Sequence, residues 1–141
     1  MQTHLRLTLF ALLTLALHAL FSQGLFAATP VLRCEIRQGG HAFTEDFVPV
    51  TDPYAVDPKE INHQFLFKAV VMGNEENIDY IRIYTYYKEQ HQVILLHEAR
   101  YLPPFRQGEP SPAALTGVNY LYAPVLEQEF QYGCVLLDGP S

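Results

Sequence analysis

The chain has 141 residues, 15 acidic and 9 basic, for a formal net charge of −6. Without an N-terminal stretch of 27 residues it keeps 8 basic against 15 acidic residues, a net −7, too acidic for nucleic-acid binding by phosphate neutralisation. The remaining segment of about 114 residues holds 9 Tyr and 6 Phe, which excludes a disordered chain and supports one domain with one core.

The N-terminus opens with Met1 to Arg6, runs through an uncharged apolar stretch from Leu7 to Phe21 and ends in the small residues of Ser22 to Ala28. That order is the secretory pattern. The apolar run is shorter than the roughly 20 residues a spanning helix needs. The expectation is a signal peptide over 1–27, cleaved after Ala27 (alternatives are Gly24 and Ala28), and a single domain over 28–141. No stable membrane span is expected once the signal is removed.

The first strand is predicted over 31–37, with Leu32, Cys34 and Ile36 on one face and Arg33, Glu35 and Arg37 on the other. Gly39-Gly40 suits a tight hairpin, because positive φ costs glycine little. A second strand follows over 41–50. Turns at Thr51-Asp-Pro-Tyr54 and at Asp57-Pro58 lead to the nearly continuous apolar run 64–72, expected as a central strand. After Gly73–Asn77 come strands over 78–87 and 93–101, a proline-marked connection over 102–118, a short strand over 119–122 and a last one over 126–137.

Seven or eight short strands at intervals of about 8–15 residues predict an all-β, antiparallel sandwich, with an immunoglobulin-like arrangement as first choice and a small β-barrel as the alternative. Trp is absent, so an antibody-type Cys–Trp–Cys core is excluded. Alternation turns Cys34 and Cys134 inward. An even count of cysteines in an exported chain predicts one disulfide stapling the first strand to the last.

No Gly-x-Ser-x-Gly elbow, phosphate-cradling loop or Cys-x-x-Cys is present. His97-Glu98-Ala-Arg-Tyr101 begins like a zinc-protease motif but carries Tyr101 in place of the second His. A non-catalytic protein without a cofactor is therefore expected. Of His41, His63, His91 and His97, the pair His91 and His97 shares a face on an unbroken strand. They would stand about 20 Å apart, too far to share one ion, so they make only a weak metal (Cu/Zn) site.

The stronger signal is aromatic. Tyr80, Arg82, Tyr84 and Tyr86 alternate with Ile81, Ile83, Thr85 and Tyr87, which predicts a core face of Ile and an outward Tyr/Arg face. Tyr and Arg combine large contact area with a polar tip and are enriched at recognition hot spots. Tyr120 and Tyr122 add two more on one strand face. The 17-residue connection 102–118 exceeds the usual loop. It offers Phe105, Arg106 and Leu115 as contact residues of a semi-rigid arm, or serves as a crossover between sheets.

The sequence thus predicts an exported, periplasmic or secreted β-sandwich, with the periplasm of a Gram-negative bacterium as the expected compartment. Its expected role is non-catalytic binding to another envelope protein through the Tyr face, the long loop or an edge strand. The alternatives are a small-ligand, carbohydrate-like binding module and a periplasmic metal carrier.

Overall fold

The computed structural model describes residues 29–90, 92–105, 111–124 and 128–138. The expected signal segment, His91 and Arg106 lie outside the described residues.

Among the described residues there are nine strands: β1 (Val31–Gln38), β2 (His41–Phe47), β3 (Pro49–Val50), β4 (Lys59–Ile61), β5 (Phe65–Gly73), β6 (Ile78–Glu89), β7 (Gln92–Tyr101), β8 (Asn119–Tyr122) and β9 (Glu129–Leu137). A 3-10 turn at Pro53–Ala55 precedes β4, capped by the Asp52 carboxylate accepting from the Tyr54 N–H at 2.9 Å. No helix among the described residues is long and apolar enough to cross a membrane.

The strands form two packed sheets, one ordered β2-β1-β9-β8 and one ordered β3-β5-β6-β7 with β4 also on β5. Period-2 alternation builds both. In β1, Leu32, Cys34 and Ile36 are buried. In β6, Ile81, Ile83, Thr85 and Tyr87 are buried. Between the sheets Phe67 meets Phe47, Phe130 and Tyr132 at ring separations of 6.0, 6.1 and 5.3 Å. Phe65 meets Phe130 at 5.0 Å, so aromatic rings fill the space between the sheets.

The all-β sandwich is as expected, with differences in detail. The strand expected over 41–50 breaks at Val48, where the chain leaves one sheet for the other. β2 pairs with β1, whereas β3 pairs parallel with β5, so the second sheet is mixed rather than purely antiparallel. β4 lies where only turns were expected; it covers the edge of β5 at Phe65–Phe67. The pairs β1–β2, β4–β5, β5–β6, β6–β7 and β8–β9 are neighbours both in sequence and in their sheets, the chain crosses between sheets after β2 and after β7, and β9 returns to pair with β1. The result is a small β-sandwich built largely of hairpins and closed by the β1–β9 pairing.

The β1–β2 hairpin turns on Gly39 and Gly40, with φ of 58° and 80°, as a two-residue primed turn requires. The β5–β6 turn is held by the Asn74 side-chain oxygen, which accepts from the N–H of Glu76 at 2.9 Å and of Asn77 at 2.8 Å.

Cys34 and Cys134 are disulfide-bonded and stand directly opposite each other on β1 and β9, with Cα atoms 4.1 Å apart. The Cys134 N–H donates to Thr116 Oγ1 at 2.8 Å, and its carbonyl accepts from the Leu115 N–H at 3.0 Å. Both backbone groups therefore point away from β1, which makes this a non-hydrogen-bonded pair, where antiparallel strands come closest. The bridge is a staple within one sheet and joins the first strand to the last.

The connection after β7 crosses from one sheet to the other. Its second half is tied down rather than free. Leu115 and Phe105 both pack against the core. Gly133 lets the 111–117 turn lie on the sheet, since a Cβ at that position would sit 2.7 Å from the Ala113 Cβ.

Candidate functional site

The outer face of the β5–β6–β7 sheet is built in rows fixed by strand register. Val70 faces Arg82, which faces Arg100; Lys68 faces Tyr84, which faces Glu98; Leu66 faces Tyr86, which faces Leu95. Tyr80 follows beside Met72. Tyr80, Arg82, Tyr84 and Tyr86 thus share one outward face, each half-buried.

Contacts within the face hold these side chains in place. The Tyr84 and Tyr86 rings stack at 6.2 Å with 13° between their planes. The guanidiniums of Arg82 and Arg100 both lie over Tyr80, at 5.4 and 4.9 Å from its centroid. Arg82 Nη1 donates to the Tyr84 hydroxyl at 3.4 Å and stands 3.7 Å from Glu98. The Tyr84 contact raises the Arg82 pKa further above its already high value. Burial raises the Tyr86 phenol, helped by Tyr84 and Glu98, so both groups keep their neutral-pH charge states. At the apolar end, Leu95 and Val93 are 49% and 56% exposed.

The other expected residues fall elsewhere. Tyr120 and Tyr122 pair with Gln131 and Glu129 on the outer face of the β1–β9–β8 sheet. The six residues therefore form two surfaces on opposite sides of the sandwich, not one. Tyr122 donates to Glu129 at 2.9 Å, and that carboxylate raises its pKa. Beside Tyr120 a hollow of about 260 Å³ is lined by Glu35, Arg37 and Gln131 together with Pro112 and Val118. Phe105 and Leu115, offered as contact residues of an arm, are instead partly buried against the core.

His97 was expected to share a face with His91 on an unbroken strand, but β7 is not unbroken. The register shifts between Thr85 and Tyr86, so that Thr85 faces His97 while Tyr86 faces Leu95. Leu96 is the extra residue of a bulge. His97 keeps the inward phase of Ala99 and Tyr101 and lies against the Tyr132 ring at 5.8 Å, while the bulge puts Leu95 and Val93 out of that phase and onto the outer face. His97 Nε2, Thr85 Oγ1 and the Tyr132 hydroxyl are buried without hydrogen-bond partners among the described residues. Burial lowers the His97 pKa and raises that of Tyr132. Among the described residues no group of three or more His, Cys, Asp or Glu is placed to hold a metal ion.

Reading the sequence for the Tyr strand missed Lys68, Arg100, Leu95 and Val93, which complete this face from neighbouring strands. The Glu98/Arg100 alternation was the available signal, but only register reveals what each faces. Comparison with protein-family models, with curated proteins and with solved structures finds no match to this chain.

Proposed function

We propose that this chain is an exported, non-catalytic binding protein that meets another envelope protein through the Tyr80–Arg82–Tyr84–Tyr86 face. One observation carries the reading. Four aromatic and cationic side chains, half-buried and locked by stacking, lie on a sheet face bordered by exposed Leu95 and Val93. Side chains already fixed in place lose little entropy on binding, which is what a recognition surface needs. The disulfide fits an oxidising compartment such as the periplasm.

The test is crosslinking of the tagged protein in its native host, read by mass spectrometry. One partner recovered in near-equal amount is expected. Its capture should be lost in Arg82→Ala/Tyr84→Ala and kept in Tyr120→Ala/Tyr122→Ala, with thermal transitions close to the parent's. Capture that survives the first pair of substitutions overturns the reading.

The hollow beside Tyr120 favours a second reading, a small carbohydrate-like ligand stacked on that ring. A glycan-dependent thermal shift lost in Tyr120→Ala would support it.

A further inference from the structure

The protein is acidic, and most of its cations are neutralised locally. Arg33 stands 2.7 Å from Asp46, Lys59 3.5 Å from Glu45, Lys88 2.5 Å from Glu60, and Arg37 3.9 Å from Glu35. Among the described residues, the Lys and Arg side chains with no carboxylate within 4.0 Å are Lys68 and Arg100. Both lie on the Tyr face, on either side of β6.

Their arrangement runs against the usual logic of a sheet. Arg82 and Arg100 stand directly opposite each other, and like charges in that position are destabilising. Tyr80 accommodates both guanidiniums over one ring, an attraction between cation and ring quadrupole that leaves their charge uncancelled. Among the described residues, these two planar forks with five N–H donors each have as side-chain hydrogen-bond and ion-pair partners the Tyr84 hydroxyl at 3.4 Å and Glu98 at 3.7 Å, both on Arg82. With Lys68 one row away, the face holds donors and positive charge in excess.

The other end of the face is apolar, where Leu66, Tyr86 and Leu95 form one row. It lies four residues along β6 from the arginine row, about 13 Å at strand rise. An acidic polysaccharide would satisfy the cations and leave this row uncovered.

We propose that the partner lays an acidic protein segment on this face, with carboxylates on Arg82, Arg100 and Lys68 and a large apolar side chain about 13 Å away over Tyr86 and Leu95. This inference rests on the binding-face reading above and names the partner's chemistry. The −7 charge of the expected mature chain repels acidic segments in general, so such a segment is directed to the face that carries Lys68 and Arg100, the cations without a carboxylate partner among the described residues.

The test uses the mature, disulfide-bonded protein and three probes: a synthetic peptide with two Glu followed four residues later by two Leu, the same peptide with Lys for Glu, and heparin. The Glu/Leu peptide should bind, and the Lys version at least about tenfold more weakly. Arg100→Ala and Lys68→Ala should each weaken the Glu/Leu peptide roughly tenfold, the scale of one charge-assisted hydrogen bond. Lys59→Ala, which removes a paired cation, should leave binding unchanged. Thermal transitions check that every variant folds.

Equal affinity of parent and Arg100→Ala for the peptide overturns the proposal, as does heparin binding without peptide binding. If the crosslinked partner is still captured through Tyr84 while the peptide fails to bind, the acidic chemistry is wrong and the face stands. If capture does not depend on Tyr84, both fall.

Discussion

The hairpins β1–β2 and β6–β7 place an arginine at the same kind of position and treat it in opposite ways. Arg33 faces Asp46 across its hairpin and donates to it through Nε and Nη2 at 2.8 and 2.7 Å. Arg82 faces Arg100. The first pair is closed on itself, and its contact lowers the Asp46 pKa. The second leaves charge and donors to be answered from outside. An opposite-charge cross-strand pair is the cheap solution for a sheet surface, so the β6–β7 face departs from it where partner recognition is proposed.

A second contrast separates the sheets themselves. The β1–β9 pair is joined covalently, while β5, β6 and β7 are held by hydrogen bonds and side-chain packing. Replacing both cysteines by Ala tests that difference with the largest expected effect. The disulfide links residues 100 apart, and a loop of that size corresponds to about 4.7 kcal/mol in the chain-entropy model. Urea denaturation measures the loss. Amide exchange should quicken more in Leu32–Ile36 than in Ile81–Tyr87; equal quickening would show that the two sheets open as one unit.

The next effect comes from the inward-turned His97. Its pKa is lowered in the fold by burial, so the unfolded chain binds the proton more readily. The stabilisation of the neutral ring is complete above the ordinary value of about 6.5 and declines as pH falls below it. A thermal transition that drops between neutral and mildly acidic pH, with a shallower drop in His97→Leu, is the expected result. An unchanged slope in that variant would assign the acid sensitivity to other groups.

The smallest stability effect sharpens the first comparison. Arg100→Glu places a carboxylate opposite Arg82, the arrangement Arg33 already has. Its thermal transition should be equal to or slightly above the parent's while partner capture is lost. Arg33→Glu, which sets a carboxylate against Asp46, should lower the transition and leave capture intact. The reverse pattern would mean that the arginine pair serves the fold.

Much of this was legible in the residues alone. Alternation in Val31–Arg37 and in Ile78–Tyr87 determined which side chains face inward, because successive residues of a strand point to opposite sides whatever the strand pairs with. That local rule was enough to turn Cys34 and Cys134 into the core and to set Tyr80, Arg82, Tyr84 and Tyr86 outward, and glycine's tolerance of positive φ marked the Gly39-Gly40 turn.

What a strand faces is a different matter, decided by partners distant in sequence. The break at Val48, the parallel β3–β5 pairing and the strand β4 arise where the chain passes between sheets and an edge of β5 is to be covered. The bulge at Leu96 shifted the phase within one strand, so that His97 faces inward with Ala99 and Tyr101 while Leu95 and Val93 face outward. The crossover carried Tyr120 and Tyr122 to the opposite outer face and packed Phe105 and Leu115 against the core. The sequence by itself determined the inside and outside of each strand, since that depends on a period of two residues. Only the tertiary structure decided that Arg82 meets Arg100 over one tyrosine ring, since register is set by packing two whole strands together.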